Sequence, residues 1–147
     1  YLEAKHDVGL IPHDPALLGK TVWWDEVADT ELFGAFQPLF FNRVVAPLFL
    51  RQEADEAAAA RAEEGPVPKI LAWLETQMPE DGDWLVGERL TLADLAVASP
   101  LVNYAHCGGS LADYPRVEAF AARMHTRKSF AGNIAWEKGA LEKIRGG

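Results

Sequence analysis

Cysteine is almost missing from this chain: Cys107 is the single one in 147 residues. No internal disulfide is therefore open to it, which fits a reducing compartment. Basic charge is scarce as well. Fourteen Lys and Arg stand against 22 Asp and Glu, a formal net charge of −8, whereas phosphate backbones and anionic lipid both call for clustered cations. Nucleic acid and membrane are thereby excluded as partners. No unbroken apolar run approaches the roughly 18 to 20 residues that span a bilayer, and no N-terminal signal pattern is visible, so a soluble, cytoplasmic protein is expected. Strand alternation, internal repeats and long low-complexity linkers are lacking. The four histidines, His6, His13, His106 and His125, are scattered without a His at i+4, which excludes a zinc site and leaves no metal ligand set. At this length one domain with a proper core is expected, and two are not.

What is present is helical periodicity. Pro15 is placed to open a helix, and Leu18, Val22, Val27, Leu32 and Phe36 continue it as an apolar stripe. Pro38 and Pro47 each remove an amide donor, so a long kinked element is expected from about Pro15 to Leu50. Gln52 to Glu64 is rich in Ala and charge, the pattern of a solvated helix with little to bury. Gly65-Pro66 ends it, and Pro66 or Pro68 starts a helix whose core face is Ile70, Leu71, Trp73, Leu74 and Met78. Pro79 to Asp83 reads as a loop. Leu92 to about His106 forms a further helix that stops near Gly108-Gly109. Pro115 begins the next, carrying Val117, Phe120, Ala121 and Met124. Ser129 can cap a short helix, and Trp136 to Ile144 forms a last one. The fold class is all-α, a helical bundle.

The strongest local signal is Asp83 to Leu95. Thr91 stands as an N-cap whose hydroxyl can accept from an amide two or three residues on, and Asp94, at the third helical position, can reach back to the free Thr91 N–H. Leu90 and Leu95 flank this capping box as a hydrophobic staple. The apolar Leu-Ala-Val-Ala-Ser-Pro-Leu-Val that follows belongs in the centre of the core. A charged residue at a helix N-terminus is accounted for by capping, so Asp94 reads as structural and not as a catalytic acid.

Trp84-Leu85-Val86-Gly87 with Leu90-Thr91-Leu92-Ala93-Asp94 resembles the helix-start signature of the glutathione transferase C-terminal domain. Tyr114-Pro115-Arg116-Val117 through Phe130 resembles the next helix of that domain. Tyr1-Leu2-Glu3 with Leu10-Ile11-Pro12-His13-Asp14-Pro15 resembles its interdomain linker. The resemblance covers nearly the whole chain in the expected order. It implies that residues 1–14 are the end of a thioredoxin-like domain and the linker, and residues 15–147 a glutathione transferase C-terminal-like helical bundle. Tyr, not Met, stands first, so an upstream segment is expected. In that family the upstream domain binds glutathione and carries the Ser, Tyr or Cys that activates its thiol. Arg145-Gly146-Gly147 reads as an ordinary chain end.

The resemblance also implies a function. The full-length protein would join the thiolate of glutathione, its co-substrate, to a small apolar electrophile. This chain would supply the acceptor pocket and the surface of a homodimer, with no catalytic residue of its own and no activity alone. Phe33, Phe36 and Phe40 are spaced as one stripe, with Phe41 and Arg43 close by, and core packing is their ordinary reading. Carried over by position, Phe33, Phe36 and Phe41 fall where aromatic side chains face the acceptor pocket. Asp25, Glu26 and Asp29 lie on the helix that forms the family's dimer interface, where an acidic side chain can reach the glutathione amino group of the neighbouring subunit. Trp23, Trp24, Trp73, Trp84 and Trp136 read mostly as packing anchors. Cys107 reads as a small residue at a helix end. Two other functions share this scaffold: a non-catalytic protein-interaction module, and a glutathione-dependent reductase, isomerase or dehalogenase.

Overall fold

The computed structural model describes residues 1–79 and 83–146, and the side chain of Leu2 lies outside the description. Glu80, Asp81 and Gly82, the middle of the expected loop, and Gly147, in the expected chain end, lie outside the described residues. Seven helices and no strand are found among those described. They are α1 Leu2–His6, α2 Pro15–Leu50, α3 Glu56–Glu64, α4 Pro66–Gln77, α5 Leu92–His106, α6 Pro115–His125 and α7 Lys128–Gly146.

The short α1 ends where Asp7 adopts a left-handed conformation, φ 47°. The Glu3 carboxylate then accepts the amides of Gly9 at 2.8 Å and Leu10 at 3.0 Å, folding the chain back. Gly9 has φ +79°, and a Cβ there would lie 2.6 Å from the Arg89 guanidinium. The positive φ calls for glycine here, while the Arg89 side chain could swing aside. Leu92 N–H donates to the Leu10 carbonyl at 2.9 Å, tying this segment to the start of α5. Asp14 caps α2 by accepting the amides of Ala16 and Leu17, with Pro15 in the first turn.

The helix α2 does not break at its prolines. Hydrogen bonding widens to the π pattern over Ala28–Leu32 and Phe41–Leu50, with α-helical Phe33–Phe40 between them. Pro47, which has no amide to donate, lies inside the second widened segment. Asn42 supports this region, donating to the Pro38 carbonyl at 2.8 Å and accepting the Asp55 amide at 3.0 Å. The 36 residues are long and apolar enough to cross a bilayer by composition, with a window mean hydropathy of 1.2. The core helix of a soluble protein passes the same test of length and composition. Within the fold its apolar face packs inward, and Leu32, Phe36, Leu39 and Val44 are buried.

Arg43 fixes the end of α2 to α3. Its guanidinium donates to Glu56 at 2.8 Å and to Glu63 at 2.7 Å, and this donation lowers the Glu63 carboxyl below its ordinary range. The helix α3 is shorter than expected, since Asp55 accepts the Ala58 amide and starts it there. It buries only Ala59 and Ala62. From α4, Val67, Leu71 and Leu74 enter the core, each burial stabilising by roughly 1.5 to 3 kcal/mol. Glu75 of α4 caps α6 from outside, accepting the amides of Arg116 and Val117 at 3.0 Å.

The centre of the bundle is α5, which buries Val97, Ala98, Leu101 and Val102. Tyr104 stacks on Phe36 with ring centroids 5.0 Å apart. A Cβ on Gly109 would come within 2.3 Å of the Tyr104 ring, so only glycine permits this approach. One continuous α7 replaces the two final helices expected from the sequence. Gly132 and Gly139 carry enough helical register to pass through it, and no proline intervenes. Of the tryptophans, Trp24 is buried, whereas Trp23 and Trp136 are 48% and 75% exposed and do not anchor the core of this chain.

At the start of α5 both halves of the capping box are present. Asp94 is fully buried and accepts three hydrogen bonds: the Leu85 amide at 2.9 Å, the Thr91 amide at 2.8 Å and the Thr91 hydroxyl at 3.1 Å. The turn so held also carries Trp84, whose ring lies 5.9 Å from the guanidinium of Arg123 on α6 and 5.7 Å from that of Arg127 in the turn after α6. Removing the Asp94 carboxylate leaves two amides without their acceptor. Asp94→Ala is expected to cost about 3 kcal/mol in urea unfolding, and Asp94→Asn about half as much. A loss under ~1 kcal/mol for the alanine variant would contradict this role.

Candidate functional site

The helices α2 and α5 lie side by side, and the side chains between them leave a groove of about 340 Å³. Asp25, Asp29 and Phe33 line it from α2, at spacings of four that share one helix face. Leu95, Ser99 and Asn103 line it from α5. Phe33 is 53% exposed, so its ring is presented to the groove and not withdrawn into the core.

The other aromatic candidates lie elsewhere. Phe36 is 2% exposed and committed to the Tyr104 stack, while Phe40 and Phe41 are half-buried and line neither wall of this groove. Phe33, Phe36 and Phe40 all lie in the α-helical segment between the widened turns, where three residues turn the helix by about 300°, so Phe33 stands about 60° round from the buried Phe36 and outside the covered face. Asp25 and Asp29 share the groove, and Glu26 does not line it.

Thr91 and Asp94 are buried at 1% and 0% exposure, so their polar atoms serve the backbone and are not open to a ligand. The histidines do not converge. His13 meets Asp7, His106 meets Glu137 at 3.0 Å, and His125 meets the Ala98 carbonyl at 3.0 Å. Among the described residues no three His, Cys, Asp or Glu side chains form a metal-ligand group. Cys107, at the C-terminal end of α5, is a half-buried free thiol. Burial pushes its pKa up to about 11, against the opposing pull of Arg43 and Arg145. A thiol so held is a poor nucleophile at neutral pH.

The groove therefore has an aromatic wall, two carboxylates and small polar groups, but no activated nucleophile. It can hold an apolar or cationic group. Three features escape a reading by sequence. They are the Arg43 clasp on Glu56 and Glu63, the Glu75 cap on α6, and the cluster in which Trp23 meets Trp24 at 4.9 Å and Trp73 at 6.1 Å. The seven-residue spacing of Glu56 and Glu63, two turns on one helix face, is the only trace of the clasp in the chain.

Residues 40–134 match the family described as glutathione S-transferase, C-terminal domain. No curated protein matches the chain. Among solved structures it is similar to glutathione S-transferase-I bound with lactoylglutathione, with 23% identity, 92% of this chain and 65% of that one covered, and a TM-score of 0.80. Glutathione S-transferase III in apo form gives 27%, 92%, 63% and 0.74 in the same order. The theta class glutathione S-transferase from Xanthomonas axonopodis pv. citri with glutathione bound gives 23%, 91%, 62% and 0.76. The chain thus spans less than two thirds of the length of each of these structures.

Proposed function

The chain belongs to the glutathione S-transferase C-terminal domain family, and from that premise we propose that it is the acceptor-binding half of a protein that conjugates glutathione to a small apolar electrophile. Residues 1–14 end a thioredoxin-like domain and form the linker, and residues 15–147 form the all-helical domain. The activating Ser, Tyr or Cys and most of the glutathione site belong to the upstream domain. There the thiol pKa is lowered and the thiolate formed, since the thiolate is the nucleophile. The thiolate sulfur then bonds to the electrophilic carbon, and the electron pair of the broken bond leaves with the displaced group or moves into the acceptor.

This chain's part is positioning. Holding an apolar acceptor still against the thiolate turns a bimolecular encounter into an effectively unimolecular one. The observation that carries this reading is the exposed Phe33 ring on a groove that also holds Asp25 and Asp29. Phe33 is the ring contact on the groove; Phe36, in the core, and the half-buried Phe41 do not line it. Asp25 or Asp29 supplies a carboxylate for the glutathione amino group. Thr91 and Asp94 stay structural. The full-length protein is soluble, cytoplasmic and a two-fold homodimer, paired through the face where Trp23 and Trp73 meet. Glu31 and Lys69 line a depression between the same two helices, and opposite charges on one face suit self-pairing.

With the upstream domain attached, Phe33→Ala is expected to raise KM for an aromatic electrophile about tenfold, with kcat and the glutathione KM changed less than about twofold. Unchanged KM for the electrophile would remove Phe33 from the pocket, and no conjugation by the wild-type protein would favour an interaction module. Trp23→Glu is expected to convert the dimer to monomer in sedimentation experiments; a dimer that persists would place the contact elsewhere.

A further inference from the structure

A second depression, of about 280 Å³, lies where α7 meets α5 and α6. Val102 and Ala105 from α5 and Ile134 and Leu141 from α7 give it an apolar side, and His106 and His125 line it as well. Along α7 the lining positions 134, 138, 141 and 145 recur every three or four residues, so they share one face. That face buries only Leu141 fully, which is why it does not close against its neighbours. The mouth is cationic. Lys138 and Arg145 both line it, and neither has a carboxylate within ion-pair distance among the described residues. Arg145 is steadied there by donating to the His106 carbonyl at 3.2 Å.

Of the nearby acidic groups only Glu142 lines the mouth, where it offsets one of the two cations. Glu137 is held by His106 at 3.0 Å. Glu142 lies on the same rim and leaves the mouth mildly positive, which favours a monoanion over a dianion. In a chain of net charge −8, two cations without carboxylate partners above an apolar cleft are complementary to an anion with an apolar body. We infer that this cleft binds a small amphiphilic carboxylate. Its ring or short alkyl body packs on Val102, Ile134 and Leu141, and its carboxylate accepts from Arg145 and Lys138. Guanidinium and carboxylate match in geometry as well as charge. The volume suits a body of about one aromatic ring and excludes a long lipid chain. The site is separate from the α2/α5 groove, and the inference stands whether or not the chain takes part in glutathione chemistry.

The test is a ¹H–¹⁵N NMR titration of the chain with phenylacetate, with phenylacetamide as the uncharged control. Saturable shifts are expected at the amides around Val102, Ala105, Ile134 and Leu141. Lys138→Gln and Arg145→Gln should each weaken Kd about tenfold, and phenylacetamide should bind at least as much more weakly. Both substituted side chains are exposed, and Lys138 has no hydrogen-bond or ion-pair partner among the described residues, so its variant tests the charge without disturbing the fold. Shifts that do not saturate, equal binding of phenylacetamide, or a Kd unmoved by both substitutions would overturn the site.

Discussion

A buried carboxylate with three donors holds this bundle together at its centre. Asp94 is a charge taken wholly out of water, a costly placement unless every lone pair direction is used. Its neighbours supply that use: the Leu85 and Thr91 amides and the Thr91 hydroxyl, with the N-terminus of α5 behind them. The bonds reach in two directions. Those to Thr91 begin the helix, and the one to Leu85 draws in the preceding turn, so that Trp84 reaches Arg123 of α6 and Arg127 just beyond it. The start of α5 also receives the linker through Leu92 and the Leu10 carbonyl. Three separate stretches of chain therefore converge within one helical turn.

The groove and the second cleft follow from how the other helices meet α5. A helix that stays apolar over 36 residues would ordinarily bury one straight stripe, but the widened turns of α2 rotate successive segments relative to one another. Within the α-helical segment between them, Phe36 faces inward onto Tyr104 while Phe33, about 60° round the helix, is exposed. The clasp of Arg43 on Glu56 and Glu63 holds the last widened segment against α3. The helix α7 is attached through Phe130 against the core and His125, through Leu141, and through the His106–Glu137 pair and Arg145. Sparse attachment is what leaves an open cleft there.

Legibility in the sequence tracks the range of the interaction. The helix starts at Pro15, Pro66, Leu92 and Pro115 are decided within four residues by proline geometry and capping, and they can be read directly. The all-helical class follows from the same periodicity. The fate of the Phe cluster cannot be read that way. Spacing by three and four brings the rings within about 60° of one another, but only the packing against α5 decides which of them is covered. The merging of two expected helices into α7 reflects a helical register that continues across Gly132 and Gly139 without a stop signal. The Glu75 cap joins residues some forty positions apart, and only the packing of α4 on α6 brings them together. The groove has the same origin, since Phe33 and Asn103 share no local pattern.

The dependence of the bundle on Asp94 is tested most directly by native-state amide hydrogen exchange. If the carboxylate anchors the fold, the Leu85 and Thr91 amides exchange only through global unfolding, with the same free energy as the α5 core amides of Val97 and Ala98. Exchange at Leu85 and Thr91 through a local opening several kcal/mol easier than that of α5 would contradict it, and would show the turn to be an appendage of a core that stands without it.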